Sequence, residues 1–364
     1  MIKNTIHEKY MQRCIDLAKQ GLGNTAPNPM VGSVIVYNGK IIGEGYHRKF
    51  GEPHAEVNAI NSVQDKSLLK KSTIYVNLEP CSHFGKTPPC ANLIADIGIP
   101  NIIIGSIDTA SHVSGKGIEI LKKSGCNVTT GVLERESREL NKRFFTFHEK
   151  QRPYIILKWA QTKDGFIDIE RKRNSPKEPT WITNEHAKTL VHKWRSEEQS
   201  ILIGTNTALA DNPSLTTRNW IGNNPIRIVF DRELKLPSHL NIFNSEAETV
   251  LIADNSCKNI KVNGLRSNIG IKFVNYDIDF YTQLFDVLTK KDIQSIIIEG
   301  GSKVLDSFIQ NNIWDEARIF HGDKVFDKGV KAPNIILNEP INFVIGNCKL
   351  VLIKNKESLI NNLN

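Results

Sequence analysis

Three short segments constrain this chain more than any bulk property: His54-Ala55-Glu56, Pro80-Cys81 and Pro89-Cys90. One imidazole and two thiols form a donor set of the kind zinc takes. A catalytic zinc commonly uses three protein ligands and leaves the fourth position to water. To share one ion, the three segments must be brought together by the elements that carry them. STIYVNLE, ending at Glu79, reads as a strand, whereas HAEVNAINSV and PPCANLIADIG read as helices, the second ended by Gly98. Cys81 then follows a strand, and His54 and Cys90 open helices, whose N-terminal ends help keep a thiol deprotonated.

The surrounding sequence alternates in the same manner. Residues 5–20 place Ile6, Tyr10, Cys14, Leu17 and Ala18 on one helical face. SVIVY and KIIGEGY flank Asn38-Gly39, a type I′ hairpin signal because both turn positions need positive φ. NIIIGSID reads as a buried strand, GIEILKKSG as a helix and LERESRELNKRFFTF as one longer helix. Strand alternating with helix predicts a three-layer α/β domain.

A chain of 364 residues exceeds what one core usually supports. A second unit is expected from near Gln151-Arg152-Pro153, giving domains at 1–149 and 150–364. In it PYIILKWA, SILIG, PIRIVFD, ETVLIA and IQSIIIEGG read as strands. SKVLDSFIQNN reads as a helix, and TNEHAKTLVHKWRSEE as a helix opened by Thr183. The run ERKRNSPKEP (170–179) is expected to be an exposed loop, and the last ten residues to fray.

Composition narrows the chemistry. The net charge of +8 is scattered, and suits an anionic small substrate or cofactor as well as it suits nucleic acid. The six cysteines are too sparse for a disulfide framework, and only Cys81 and Cys90 are close neighbours. Cys14, Cys126, Cys257 and Cys348 are expected to be ordinary thiols. No apolar run reaches the length of a membrane span and the N-terminus lacks a signal-peptide core, so a cytoplasmic protein with no membrane partner is expected.

Zinc lowers the pKa of a bound water from 15.7 to roughly 7 and so supplies hydroxide at neutral pH. Glu56, two residues after His54, can face the same pocket without ligating and act as the proton shuttle. His-x-Glu followed by Pro-Cys and a further Cys is the signature of zinc deaminases. The alternative is a structural zinc closed by His83 as fourth ligand, which leaves Glu56 without a role.

With these pieces quoted, a family comes into view. Pro27-Asn28-Pro29-Met30-Val31-Gly32, Gly51-Glu52-Pro53-His54-Ala55-Glu56 and the run Leu78 to Cys90 closely resemble the bifunctional riboflavin-biosynthesis deaminase/reductases. Eight residues between the cysteines separate the chain from deaminases with Pro-Cys-x-x-Cys spacing. The resemblance implies a cytidine-deaminase-like αβα domain that deaminates 2,5-diamino-6-(5-phosphoribosylamino)pyrimidin-4-one. It puts Asn28 against the pyrimidine; from the residues alone, Asn28 is equally a turn residue between two prolines. Two departures stand out. Asp108-Thr109-Ala110-Ser111 replaces an Asp-Pro-Asn-Pro loop, and Lys86 stands where Arg is common, a change that weakens bidentate phosphate contact.

The second half contains no G-x-G-x-x-G opening a βαβ unit, so a Rossmann site is not indicated. Gly300-Gly301, between an apolar run and a helix opening at Ser302, is either a phosphate cradle or a plain strand-to-helix turn. Lys158 reads as a snorkelling strand residue, Trp181 as core, and Arg195 and Arg218 as solvated. Their order nonetheless resembles the reductase half of the same family, from Lys158…Asp164-Gly165 through Trp181-Ile182-Thr183 and Thr207…Asp211-Asn212-Pro213 to Glu299-Gly300-Gly301. Thr162 and Pro179 stand where the family has Ser, and Ser175 is a substitute for the latter only if its loop folds back.

This likeness implies a dihydrofolate-reductase-like α/β domain that uses NADPH to reduce ribosyl to ribityl. It assigns Gln161, Trp181, Thr207 and Asp211 to the cofactor, with Gly301, Ser302 and Lys303 at its phosphates. Arg195, Leu215, Arg218 and Glu299 fall on the substrate side, where guanidinium suits a 5′-phosphate.

The expected partner is therefore a small phosphorylated pyrimidine rather than nucleic acid, with the enzyme a homo-oligomer, dimer or tetramer. A nucleic-acid-editing zinc deaminase with a basic binding domain competes with this reading. It predicts aromatic platforms beside basic clusters, and leaves Trp181, Asp211 and the Glu-Gly-Gly turn unexplained. A non-catalytic zinc module is the third possibility.

Overall fold

The Asn38-Gly39 hairpin forms, and the first sheet grows from it. Asn38 and Gly39 have φ of 47° and 74° and join β1 (Gly32–Tyr37) to β2 (Lys40–Tyr46) in antiparallel register. The computed structural model describes residues 2–82, 88–109, 114–171, 180–260, 266–336 and 338–356. It divides into two units, Met1–Gln151 and Arg152–Asn364.

In the first unit β1 pairs antiparallel with β3 (Thr73–Leu78), and β4 (Asn101–Ser106) and β5 (Asn127–Thr129) continue in parallel, giving the order β2-β1-β3-β4-β5. Side chains alternate across this sheet. Val34, Val36, Tyr75 and Ile103 bury against α1 (Ile2–Ala18) through Tyr10, Met11 and Cys14. Ile35, Ile74, Val76, Ile102 and Ile104 bury on the opposite face, with residues of α2 (Ala55–Ser62), α3 (Cys90–Ile97) and α4 (Lys116–Lys123). The result is the three-layer arrangement expected.

Helix α2 lies directly on the β2 backbone, since a Cβ at Gly45 would stand 2.5 Å from Ala59 N. The single helix expected over 133–147 is instead two, α5 (Glu134–Leu140) and α6 (Lys142–Lys150). Asn141 interrupts it: its Oδ1 accepts from Met30 N at 2.8 Å and its Nδ2 donates to Met30 O at 2.9 Å. Tertiary hydrogen bonding overrides the helical pattern there.

The second unit contains β6 (Tyr154–Gln161), β7 (Phe166–Ile169), α7 (Glu185–Glu197), β8 (Ser200–Gly204), α8 (Thr205–Asp211), β9 (Ile226–Phe230) and β10 (Thr249–Asp254). It continues with β11 (Ile269–Val274), α9 (Phe280–Thr289), β12 (Ser295–Glu299), α10 (Ser302–Gln310), β13 (Glu316–His321), β14 (Gly329–Lys331), β15 (Ile341–Ile345) and β16 (Cys348–Lys354). Nine strands form one sheet in the order β11-β10-β9-β8-β12-β6-β13-β16-β15, parallel as far as β13 and antiparallel beyond it. β7 pairs with β14 in a separate ribbon.

The central strands are mostly apolar because both faces are covered, as parallel sheets require. Leu284, Leu288, Leu305 and Phe308 of α9 and α10 bury on one side, Ala187, Trp194 and Ala208 of α7 and α8 on the other. Helix α7 is opened by Asn184 rather than Thr183, because Asn184 Oδ1 accepts from Ala187 N at 2.9 Å. The strands at 269–274, 316–321, 341–345 and 348–354 were not delineated from sequence.

Candidate active sites

The metal site is assembled from the ends of helices and strands rather than from their middles. His54 is the N-cap of α2, Cys81 follows Glu79-Pro80 beyond β3, and Cys90 opens α3. His54 Nδ1 lies 3.5 Å from both Cys81 Sγ and Cys90 Sγ. The three donor atoms fall within 4.8 Å of one another, and form the one such His/Cys/Asp/Glu cluster among the described residues. A tetrahedral zinc with bonds of about 2.3 Å to sulfur and about 2.05 Å to nitrogen separates those donors by about 3.6 Å. The set therefore fits zinc.

Protonation among the cluster's own side chains follows from contact. The Cys90 thiol donates to Cys81, and with His54 and the Cys90 N–H at 3.3 Å it holds the Cys81 thiol down to about 4. Cys90, which keeps the shared proton, is pushed up. His54 is raised by its hydrogen bond to Cys81. Glu56, in the first turn of α2 and 3% exposed, is raised by burial and by the Cys81 thiolate to about 7.

Two neighbours escaped the sequence reading. Glu79 is buried and accepts four backbone N–H bonds, from Asp108, Gly115, Gly117 and Ile118 at 2.9–3.3 Å. It fastens the start of α4 beside Pro80, so closely that a Cβ at Gly117 would meet Pro80 O at 2.1 Å. His47 is also buried, its ring centroid 5.3 Å from that of His54 and its Nε2 3.1 Å from Asn28 Nδ2. Burial lowers its pKa. The only sequence signal was a polar residue directly after an apolar strand, which is common at any strand end. His83, Lys86, Ala110, Ser111, Ser175 and Pro179 lie outside the described residues.

The second unit holds a cavity of about 1500 Å³ at the carboxyl ends of β6, β12 and β8, three adjacent strands. Ligands of open α/β sheets bind at such strand ends. Trp181, Thr207, Asp211, Gly301, Ser302 and Lys303 line it. So do Arg195, Leu215, Arg218 and Glu299. Gln161 is not among the lining residues; its Oε1 accepts from Trp159 Nε1 at 2.8 Å.

Local geometry explains several positions. Gly300 and Gly301 have φ of 99° and 57°, and a Cβ on Gly300 would lie 2.7 Å from Thr207 Cγ2. Only glycine lets this turn press against α8 while α10 opens onto the cavity. Trp181, read as core, is half-exposed at the cavity with Lys188 Nζ 4.2 Å over its ring. Asp211 is raised by burial to about 6, against the pull of Arg171 at 3.4 Å.

Arg195, read as solvated, keeps only 11% of its side chain exposed and forks onto Glu299, Nε to Oε1 at 3.1 Å and Nη2 to Oε2 at 2.7 Å. Lys158 Nζ approaches the same carboxylate at 3.5 Å. Burial alone would raise Glu299; Arg195 and Lys158 together outweigh it and hold the group at about 2. Lys158 is lowered by its own burial. Leu215 is 2% exposed at a φ of 55°. Arg218 donates its backbone N–H to His192 Nδ1 at 3.1 Å, and burial takes His192 down to about 4.

Comparison with known proteins agrees with both sites. Residues 4–106 match the cytidine and deoxycytidylate deaminase zinc-binding region, and residues 153–339 match the RibD C-terminal domain. The riboflavin biosynthesis protein RibD of Aquifex aeolicus is 38% identical over 332 residues, 91% of this chain and 90% of that one. RibD of Escherichia coli is 33% identical over 339 residues, 89% and 90% of the two chains. The crystal structure of a diaminohydroxyphosphoribosylaminopyrimidine deaminase/5-amino-6-(5-phosphoribosylamino)uracil reductase from Thermotoga maritima is 34% identical, with a TM-score of 0.84 over 97% of this chain and 99% of that one. Zinc and NADPH are thus the cofactors of the two halves. The chain belongs to the RibD family of riboflavin biosynthesis proteins, bifunctional enzymes that join a zinc-dependent deaminase to a reductase.

Proposed function

We propose that the first unit deaminates 2,5-diamino-6-(5-phosphoribosylamino)pyrimidin-4-one and that the second reduces the ribosyl group of the resulting aminouracil to ribityl. The observation that carries this reading is the convergence of His54, Cys81 and Cys90, with buried Glu56 two residues after His54 in the first turn of α2. His54 Nδ1 and the two thiolates hold zinc, which when bound supplies Lewis-acid activation of water. Glu56 takes one proton from water and gives it to the ring nitrogen, then carries the second, from the hydroxyl added to the ring carbon, to the leaving amine. Asn28 contacts the pyrimidine.

In the second unit NADPH supplies a hydride. Trp181, Thr207 and Asp211, which line the cavity, would hold the cofactor, and the N-terminal turn of α10 from Gly301 through Ser302 and Lys303 faces its phosphates. Glu299, ionised and occupied by Arg195 and Lys158, orients both cations rather than giving up a proton. Arg218, on a segment fixed through His192, faces the substrate 5′-phosphate, and Leu215 packs beside it. The cavity exceeds the usual range for one small ligand, which suits cofactor and substrate together. The partner is a free small molecule, not nucleic acid, and the enzyme works in the cytoplasm as a homo-oligomer. Among the described residues no helix is long and apolar enough to cross a membrane.

Glu56→Gln tests the deaminase assignment. Zinc content stays at one per chain, ammonia release falls by about 10²-fold or more, and NADPH oxidation on the deaminated substrate is unchanged. Undiminished ammonia release would remove Glu56 from the mechanism.

A further inference from the structure

We infer that His47 is a positioning residue for deamination: it turns the Asn28 amide so that Asn28 Oδ1 meets an N–H edge of the pyrimidine. The inference rests on the proposal that Asn28 contacts the substrate. His47 is 2% exposed, and both of its ring nitrogens are engaged. Nδ1 lies 3.2 Å from Pro53 O, and Nε2 lies 3.1 Å from Asn28 Nδ2. A carbonyl can only accept, so the ring proton sits on Nδ1. Nε2 of the neutral ring can then only accept, and the group facing it must be the NH2 end of Asn28. The tautomer of one residue thus fixes the polarity of the next. Oδ1 is left as the acceptor that Asn28 offers beyond this pair.

The same contacts tie the amide to the metal site. Pro53 immediately precedes ligand His54, and its carbonyl also accepts from Asn58 Nδ2 of α2 at 3.2 Å. The His47 and His54 rings meet edge to face, 5.3 Å apart at 74°. Asn28 is therefore held one ring away from the ligand by a bond whose direction cannot reverse while Pro53 O holds the Nδ1 proton. An aminopyrimidine that presents an N–H at this place is accepted, and a ring edge with only acceptors there is refused.

Three full-length, zinc-loaded variants test this. His47→Asn can keep the donor to Pro53 O but places no acceptor near Asn28; His47→Gln can restore one; Asn28→Ala removes the amide. The expected result for His47→Asn is a deaminase KM raised about tenfold, with kcat altered less than about threefold, one zinc per chain and unchanged NADPH oxidation. His47→Gln recovers part of that KM, and ¹⁵N NMR of the parent enzyme finds the His47 proton on Nδ1. A KM that rises in Asn28→Ala but not in His47→Asn overturns the role of His47. So does a proton on Nε2, or loss of zinc from His47→Asn, which would mean that His47 acts through His54. An unchanged KM in Asn28→Ala overturns the substrate role of Asn28, and the inference with it.

Discussion

Glu299 carries opposing demands within one side chain. Burial favours its neutral form, yet two cations in contact keep it ionised at about 2, below the ordinary 4.5. Replacing it with Gln leaves Arg195 and Lys158 buried against a neutral amide, which costs about 3–5 kcal/mol when one partner of a buried pair is removed. Urea unfolding at neutral pH should show that deficit. Because the folded pKa is depressed, the carboxylate's contribution is complete above about 4.5 and is lost as pH falls toward about 2. The gap between parent and Glu299→Gln should therefore narrow over that window, and a gap that stays constant would mean that Glu299 is not the group responsible. Sequence could name Arg195 and Glu299 only by their order in a motif. That the two lie on α7 and β12, 104 positions apart, and meet in a fork is a property of the packed sheet.

Elements bring chemistry together at their ends. His54 and Cys90 open helices, Glu299 closes a strand, and Gly300-Gly301 links that strand to α10. Gly300→Ala places a Cβ 2.7 Å from Thr207 Cγ2 at a φ of 99°, so the turn must move and carry the start of α10 with it. The expected outcome is a KM for NADPH raised by about tenfold or more while deamination is untouched. An unchanged KM would reduce the Gly-Gly pair to a plain turn. The helix starts were legible because apolar periodicity is a local signal, although α7 is capped by Asn184 rather than by the expected Thr183. The break at Asn141 was not, since its cause is a pair of hydrogen bonds to Met30, 111 residues away. Strand β16 was missed for a similar reason, since its partner β13 lies elsewhere in the chain; edge strand β15 pairs only with β16 and is largely exposed.

Each unit buries its own apolar clusters, with Ile35, Ile74 and Ile104 in one and Ile155, Leu202 and Ile298 in the other. Removing zinc with a chelator should accordingly abolish ammonia release and leave NADPH oxidation on the deaminated substrate within about twofold, since the metal ligands all belong to the first unit. Parallel loss of both activities would show that the units do not stand alone.

What the sequence determined by itself was the donor set, its spacing and the alternation of strand with helix, all of which are written in neighbouring residues. Zinc chemistry follows from residue type, and so does the three-layer first domain. Tertiary structure alone decided which side chains meet across long separations. It set His47 against Asn28, gave Glu79 four N–H partners from the segment beyond β4, and turned Arg195 from a surface charge into a buried ion pair. Burial and hydrogen-bond direction depend on which elements pack together, and no local pattern encodes them.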